Sequence, residues 1–443
     1  MTRRRLSLLL LPGLALLLIA GLLGTSSRSP LGQGSLTTGE GRPVAEVGTP
    51  VLRPFTADQT QIQECGTRLK CLEQGLGNLA ASYGPEAAWG TFDTLVSEGI
   101  IDPATCHLSS HKIASGAMIW AKGDLPRVFA AERQDCVGGY LHGVLSELFV
   151  GLSSRDAGEI SVRAVEVCVD TYQWPDTFKM LDCAHGSGHA MLQHTGYDLP
   201  LSLRACELAF PENSGIRDRE ESRLTCVNGV FMEHFFPSYD VVGKWLDDND
   251  PFVFCRALED DPALAGYGGG VVTSCWIHST YSLARIYLQR GDNLDIAGFA
   301  RACDTLERVP LVNCYIGLGR ELSVERDPAL LANACGMGRA GGGEVACIFY
   351  GAFSFTNSLA RIVPDFGVDA RALCGRMTRE DTIEACWRSF GHYIAYNATI
   401  IPGRTDRERC EDLMVPQGRP MELCESSARR EPYDQGIPMG DWQ

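Results

Sequence analysis

The chain has 443 residues, 45% of them hydrophobic and 21% charged, enough apolar material for sizeable cores; this excludes disordered, collagen-like and coiled-coil readings. A net charge of -16 at pH 7, with the only basic run at Arg3-Arg4-Arg5, argues against nucleic acid as a partner. Eighteen cysteines, an even number, point to an oxidising compartment, because a reducing one rarely sustains so many unless they bind metal.

The first predicted element is an address. Arg3-Arg4-Arg5 precedes an apolar stretch running to Leu23, the order of a signal peptide or, at this length, of an uncleaved signal anchor over 1–24. Basic residues on the inside place the remainder outside the cytoplasm, anchored to the membrane through this segment or secreted. Residues 25–60 are rich in Ser, Gly, Thr and Pro without hydrophobic periodicity, and read as a flexible linker.

From Cys168 onward the cysteines come in pairs: Cys168 with Cys183, Cys206 with Cys226, Cys255 with Cys275, Cys303 with Cys314, Cys335 with Cys347, Cys374 with Cys386, and Cys410 with Cys424. A helical pattern precedes each pair, as in Asp369-Ala370-Arg371-Ala372-Leu373-Cys374, and a second helix follows it, as in Cys314-Tyr315-Ile316-Gly317-Leu318. The second cysteines recur every 33 to 49 residues, the signature of stacked two-helix repeats that bury their apolar faces only against neighbours. In the simplest geometry the first cysteine ends helix A and the second starts helix B, where a bridge can span them. By exclusion Cys65 pairs with Cys71 and Cys106 with Cys136. Thiolate zinc sites are the competing reading, and the absence of any C-x2-C disfavours them. The expected fold is therefore all-α: eight or nine disulfide-stapled two-helix repeats over 61–430, as a curved α-solenoid or an α/α toroid, with an irregular tail at 431–443. The period and its Ala/Leu/Gly pattern resemble the general class of α-helical repeat proteins, tetratricopeptide arrays among them; no family's residues are carried over.

The nine histidines follow the cysteines. His107 and His111 come after Cys106, and His185 and His189 after Cys183; each pair is four apart and so shares a helix face. Six residues beyond the second cysteine stand His142, His189, Met232, Tyr281, Arg320, Phe353 and His392, and three beyond it several glycines. If all B helices line one side, His142, His185, His189, Glu233, His234, His278, Arg320, Glu321 and His392 edge a common hollow. Imidazoles at this spacing can share one ion, so His107, His111, His142, His185 and His189 are the candidate metal ligands, for a divalent transition metal such as zinc, iron or copper. A histidine at a helix start can equally cap, bond the backbone or pack.

Other chemistry is faint. The runs Gly266-Tyr267-Gly268-Gly269-Gly270 and Gly341-Gly342-Gly343 lack a following Lys-Ser/Thr, and no Gly-x-Ser-x-Gly elbow occurs. Asn397-Ala398-Thr399 is a glycosylation acceptor in a host that modifies exported proteins. Two functions fit these observations: an exported metal-binding protein, with an enzyme among its forms, or a non-catalytic repeat scaffold that binds a protein or peptide on its concave face.

Overall fold

The computed structural model describes Ile62 and residues 65–429, apart from 102–105, 134–135, 137, 151, 153–154, 172–176, 212–216, 237–248, 262–268, 289–293, 339–341, 358–366 and 397–403. The apolar N-terminal segment, the linker, the tail, the Asn397 acceptor and most of the first glycine run lie outside the described residues. Among those described, every regular element is helical, and no helix is long and apolar enough to cross a membrane.

Ten helices form a continuous row: α1 (Leu69–Tyr83), α2 (Cys106–Trp120), α3 (Gly139–Val150), α4 (Thr177–His194), α5 (Arg217–Phe235), α6 (Gly269–His278), α7 (Arg308–Leu322), α8 (Gly343–Asn357), α9 (Glu380–Tyr396) and α10 (Arg419–Ala428). Each packs against the next in chain order, as expected when a repeat can bury its apolar face only on its neighbours. Shorter helices connect them, among them Ala157–Val165, Leu199–Ala209, Ile296–Cys303, Pro328–Cys335 and Asp406–Asp412. Asp156, Asp198, Asp295 and Asp327 cap the first four through backbone N–H groups, and Thr405 with Glu408 forms a capping box on the last. Each cap contributes about 1 kcal/mol, which matters for helices only two or three turns long.

All nine expected bridges are present, including Cys65–Cys71 and Cys106–Cys136, with Cα separations between 5.3 and 6.3 Å. No described cysteine is free, which disposes of a thiolate metal site. The helices Ile296–Cys303, Pro328–Cys335 and Val368–Cys374 do end on their first cysteine. The second cysteine, however, does not start its helix. Cys183, Cys275, Cys314 and Cys386 each lie two turns inside α4, α6, α7 and α9. A bridge requires only neighbouring Cα atoms, so the connecting helix can be stapled across the body of a row helix rather than to its tip. The Cys106–Cys136 bridge differs again: Cys106 opens α2 and Cys136 sits in the turn before α3, tying two row helices directly together.

Glycine sets the spacing within the row. A side chain at Gly188 in α4 would strike the Cys226 carbonyl in α5, and one at Gly229 in α5 would strike the His185 carbonyl in α4. The two backbones therefore touch, and the residues flanking these glycines are held in fixed register across the helix pair. Those flanking residues are His185, His189 and Glu233.

Candidate metal centre

Helix geometry brings each i, i+4 histidine pair together. His107 Nε2 faces His111 Nε2 on α2 at 3.2 Å, and His185 Nε2 faces His189 Nε2 on α4 at the same 3.2 Å. Metal–nitrogen bonds of about 2.1 Å put two adjacent ligand nitrogens about 3.0–3.4 Å apart, so both pairs have the spacing of a chelate. Tertiary packing does the rest. His142, on α3 between them, has its ring centre 5.1 Å from those of His107, His185 and His189 and 5.8 Å from that of His111. All five histidines singled out in the sequence thus form one cluster. Within it, the ligand atoms of His107, His111 and His142 lie within 4.8 Å of one another, a group that can hold a metal ion.

The surroundings orient the rings. His107 Nδ1 lies 2.9 Å from the Cys136 carbonyl; a carbonyl only accepts, so Nδ1 carries the proton and, in the neutral ring, Nε2 presents its lone pair. The disulfide from Cys106 to Cys136 is what brings that carbonyl to the next residue along. His189 is held the same way: its Nδ1 donates over 3.0 Å to Glu233 Oε2, leaving Nε2 as the lone pair. Glu233 is fully buried, and the Tyr197 hydroxyl donates to its other oxygen at 2.7 Å. An outer carboxylate or carbonyl that fixes a histidine's tautomer is the usual support of a metal ligand. His185 bonds the backbone of Thr225 in a sense that favours its protonated form, hence as a donor. His142 has only 1% of its surface exposed, and neither ring nitrogen has a hydrogen-bond partner; the nearest acid is Asp182, whose Oδ1 is 3.4 Å from His142 Nε2. A buried imidazole without partners is costly unless something completes it.

Electrostatics favour neutral rings. Burial, then the neighbouring histidines, hold His111 and His142 well below the ordinary imidazole range. Burial lowers His185 likewise, followed by His189 and His107, with the Thr225 bond opposing. Neutral imidazole is the ligand form. Burial, with the charge of Glu132, pushes Asp182 up to about 8, a direction that a nearby cation would reverse.

The remaining residues expected at a common hollow divide. Glu233 joins the cluster. His234 turns instead to Phe254 and Phe235, with ring centres 4.4 and 5.1 Å away, and burial lowers it to about 3. His278 stacks beside Tyr281, and burial, then Arg320, His185 and His189, hold it well below the usual range. Arg320 lies over the Tyr281 ring at 4.2 Å and bonds Glu321 and Thr280. His392 packs between Phe349 and Phe353.

Asp182, Tyr197 and the Cys136 carbonyl were not foreseen. A signal for Asp182 exists: from Cys136 on, the residue before each second cysteine runs Asp135, Asp182, Thr225, Ser274, Asn313 and then Ala346, Ala385, Leu423, polar toward the N-terminus and apolar after it. Tyr197 carries no such mark, since it reaches Glu233 from the turn after α4. Compared with known proteins, the sequence matches no family model, and no curated protein or solved structure is significantly similar to it.

Proposed function

We propose that this chain is an exported helical-repeat protein, anchored through residues 1–24, whose function is to bind a divalent transition metal at His107, His111, His142, His185 and His189. One observation carries the reading: two imidazole Nε2 atoms face each other at 3.2 Å while the Nδ1 of one is committed to the Cys136 carbonyl. That spacing, which one hydrogen bond between the rings also satisfies, is the spacing at which two nitrogens chelate a cation, and His142 beside them, with neither ring nitrogen hydrogen-bonded, supplies a third ligand. An all-imidazole donor set suits zinc, copper or iron, and three protein nitrogens leave a coordination position open for water or a substrate. Nine bridges support folding in an oxidising, extracytoplasmic compartment.

The test is elemental analysis of protein purified from an oxidising compartment without chelators. At least one equivalent of zinc, copper or iron is expected. Substituting His107→Ala with His111→Ala should lower that content while far-UV circular dichroism stays unchanged. Metal-free protein that takes up neither zinc nor copper on titration would overturn the reading.

A further inference from the structure

We propose that the cluster holds two cations rather than one: the first on His107, His111 and His142, the second on the His185–His189 chelate. The proposal rests on the metal reading above and deepens it. Three observations carry it.

The first is that the two i, i+4 pairs are built alike but separately. Each has its own Nε2–Nε2 spacing of 3.2 Å, on a different helix. Each also has its own orienting acceptor, the Cys136 carbonyl for His107 and the Glu233 carboxylate for His189. A single ion would need only one such chelate plus a third nitrogen. The second observation is spatial. Among the described residues, the group of three whose ligand atoms close on one point is His107, His111 and His142, all within 4.8 Å of one another, and His185 and His189 are not part of it. The third is His142. Its ring stands at 5.1 Å from rings of both pairs and neither nitrogen has a hydrogen-bond partner, with Nε2 3.4 Å from Asp182 Oδ1; a neutral ring has one lone pair to give, and His142 gives it to the first ion. Two dications in one buried site repel, and two carboxylates are there to balance them. Glu233 stands behind His189, and Asp182 stands 3.4 Å from His142.

Stoichiometry decides the matter. The intact protein is stripped with chelator in the absence of reductant, so that the bridges persist, and titrated with Co(II). Uptake is read from visible absorption and from native mass spectrometry. The parent should bind two equivalents. His107→Ala/His111→Ala and His185→Ala/His189→Ala should each bind one. The volume-conserving pair His185→Gln/His189→Gln should behave as its alanine counterpart, which separates ligand loss from collapse of the helix contact. A parent that saturates at one equivalent overturns the second centre while leaving the metal reading standing. So does a His185/His189 variant that loses all binding with its circular dichroism intact, since that result describes a single five-histidine ion. No uptake by the parent overturns both.

Discussion

The two ends of the helix row share a backbone plan and differ in what they place on it. In both, disulfides hold the row helices, through a connecting helix or, at Cys106–Cys136, directly, and the residue six positions past the second cysteine holds the same register. Toward the N-terminus that residue is His142 or His189, set among other imidazoles and backed by Asp182 and Glu233. Toward the C-terminus it is Phe353 or His392, and these two pack on each other beside Phe349. His392 is therefore a histidine in an aromatic core, although its register is that of His142. The comparison teaches that the repeat supplies position, and that neighbours decide whether a histidine joins an imidazole cluster or fills an aromatic core.

Removing a staple from each end tests that division with the largest effect. Cys168→Ala/Cys183→Ala and Cys374→Ala/Cys386→Ala should each lower stability by about 2–4 kcal/mol in denaturant unfolding, since each bridge closes a short loop. Only the first, which supports the helix bearing His185 and His189, should also weaken metal binding. Equal loss of metal from both variants would mean that the row transmits disorder along its length.

The matched histidines sharpen the contrast. His142→Ala should reduce metal affinity by more than the roughly 100-fold that loss of an outer support produces. His392→Ala should leave metal uptake unchanged and cost roughly 1–3 kcal/mol through lost packing. Isothermal titration with zinc and thermal unfolding on both variants separate the two roles.

Acid should attack the two ends unequally. His111, His142, His185, His234 and His278 all have folded pKa values below the unfolded value of about 6.5, so the unfolded chain binds more protons. Their contribution to stability is complete above about 6.5 and is lost as pH falls toward the value of about 3 held by His234. Asp182, raised to about 8, works in the opposite sense: its contribution is complete below the ordinary carboxyl value of about 3.9 and is lost as pH rises from there to about 8. Metal-free protein at pH 5 should therefore lose hydrogen-exchange protection in α2–α6 before α8–α10, and bound metal should delay it. Loss beginning at α8–α10 would contradict the assignment.

The smallest effect concerns the segment outside both regions. Deleting residues 1–58 should leave the melting temperature and metal content of the repeat domain unchanged, as expected for a leader and a linker. A lowered melting temperature would show that these residues pack on the first repeat.

Much of the architecture was legible because it is local. Paired cysteines 11 to 20 residues apart mark where neighbouring helices meet, and all nine pairings follow from that spacing and from exclusion. Placement of the second cysteine was misjudged, because spacing along the chain reports which helices touch and says nothing of how far along each the contact lies. The same limit hid Tyr197, which meets Glu233 across 36 residues, whereas the polar series ending at Asn313 is written in the sequence itself.

By itself the sequence determined everything that repeats with helical period: the row of hairpins, their staples, and the pairing of His107 with His111 and of His185 with His189. A rise of about 1.5 Å per residue brings positions four apart together whatever the rest of the chain does. The tertiary structure alone decided that both pairs meet at His142, that Glu233 holds His189, and that His392 belongs to an aromatic core. These are contacts between different row helices. They depend on how closely glycines such as Gly188 and Gly229 let the backbones approach, and helical periodicity carries no information about that distance.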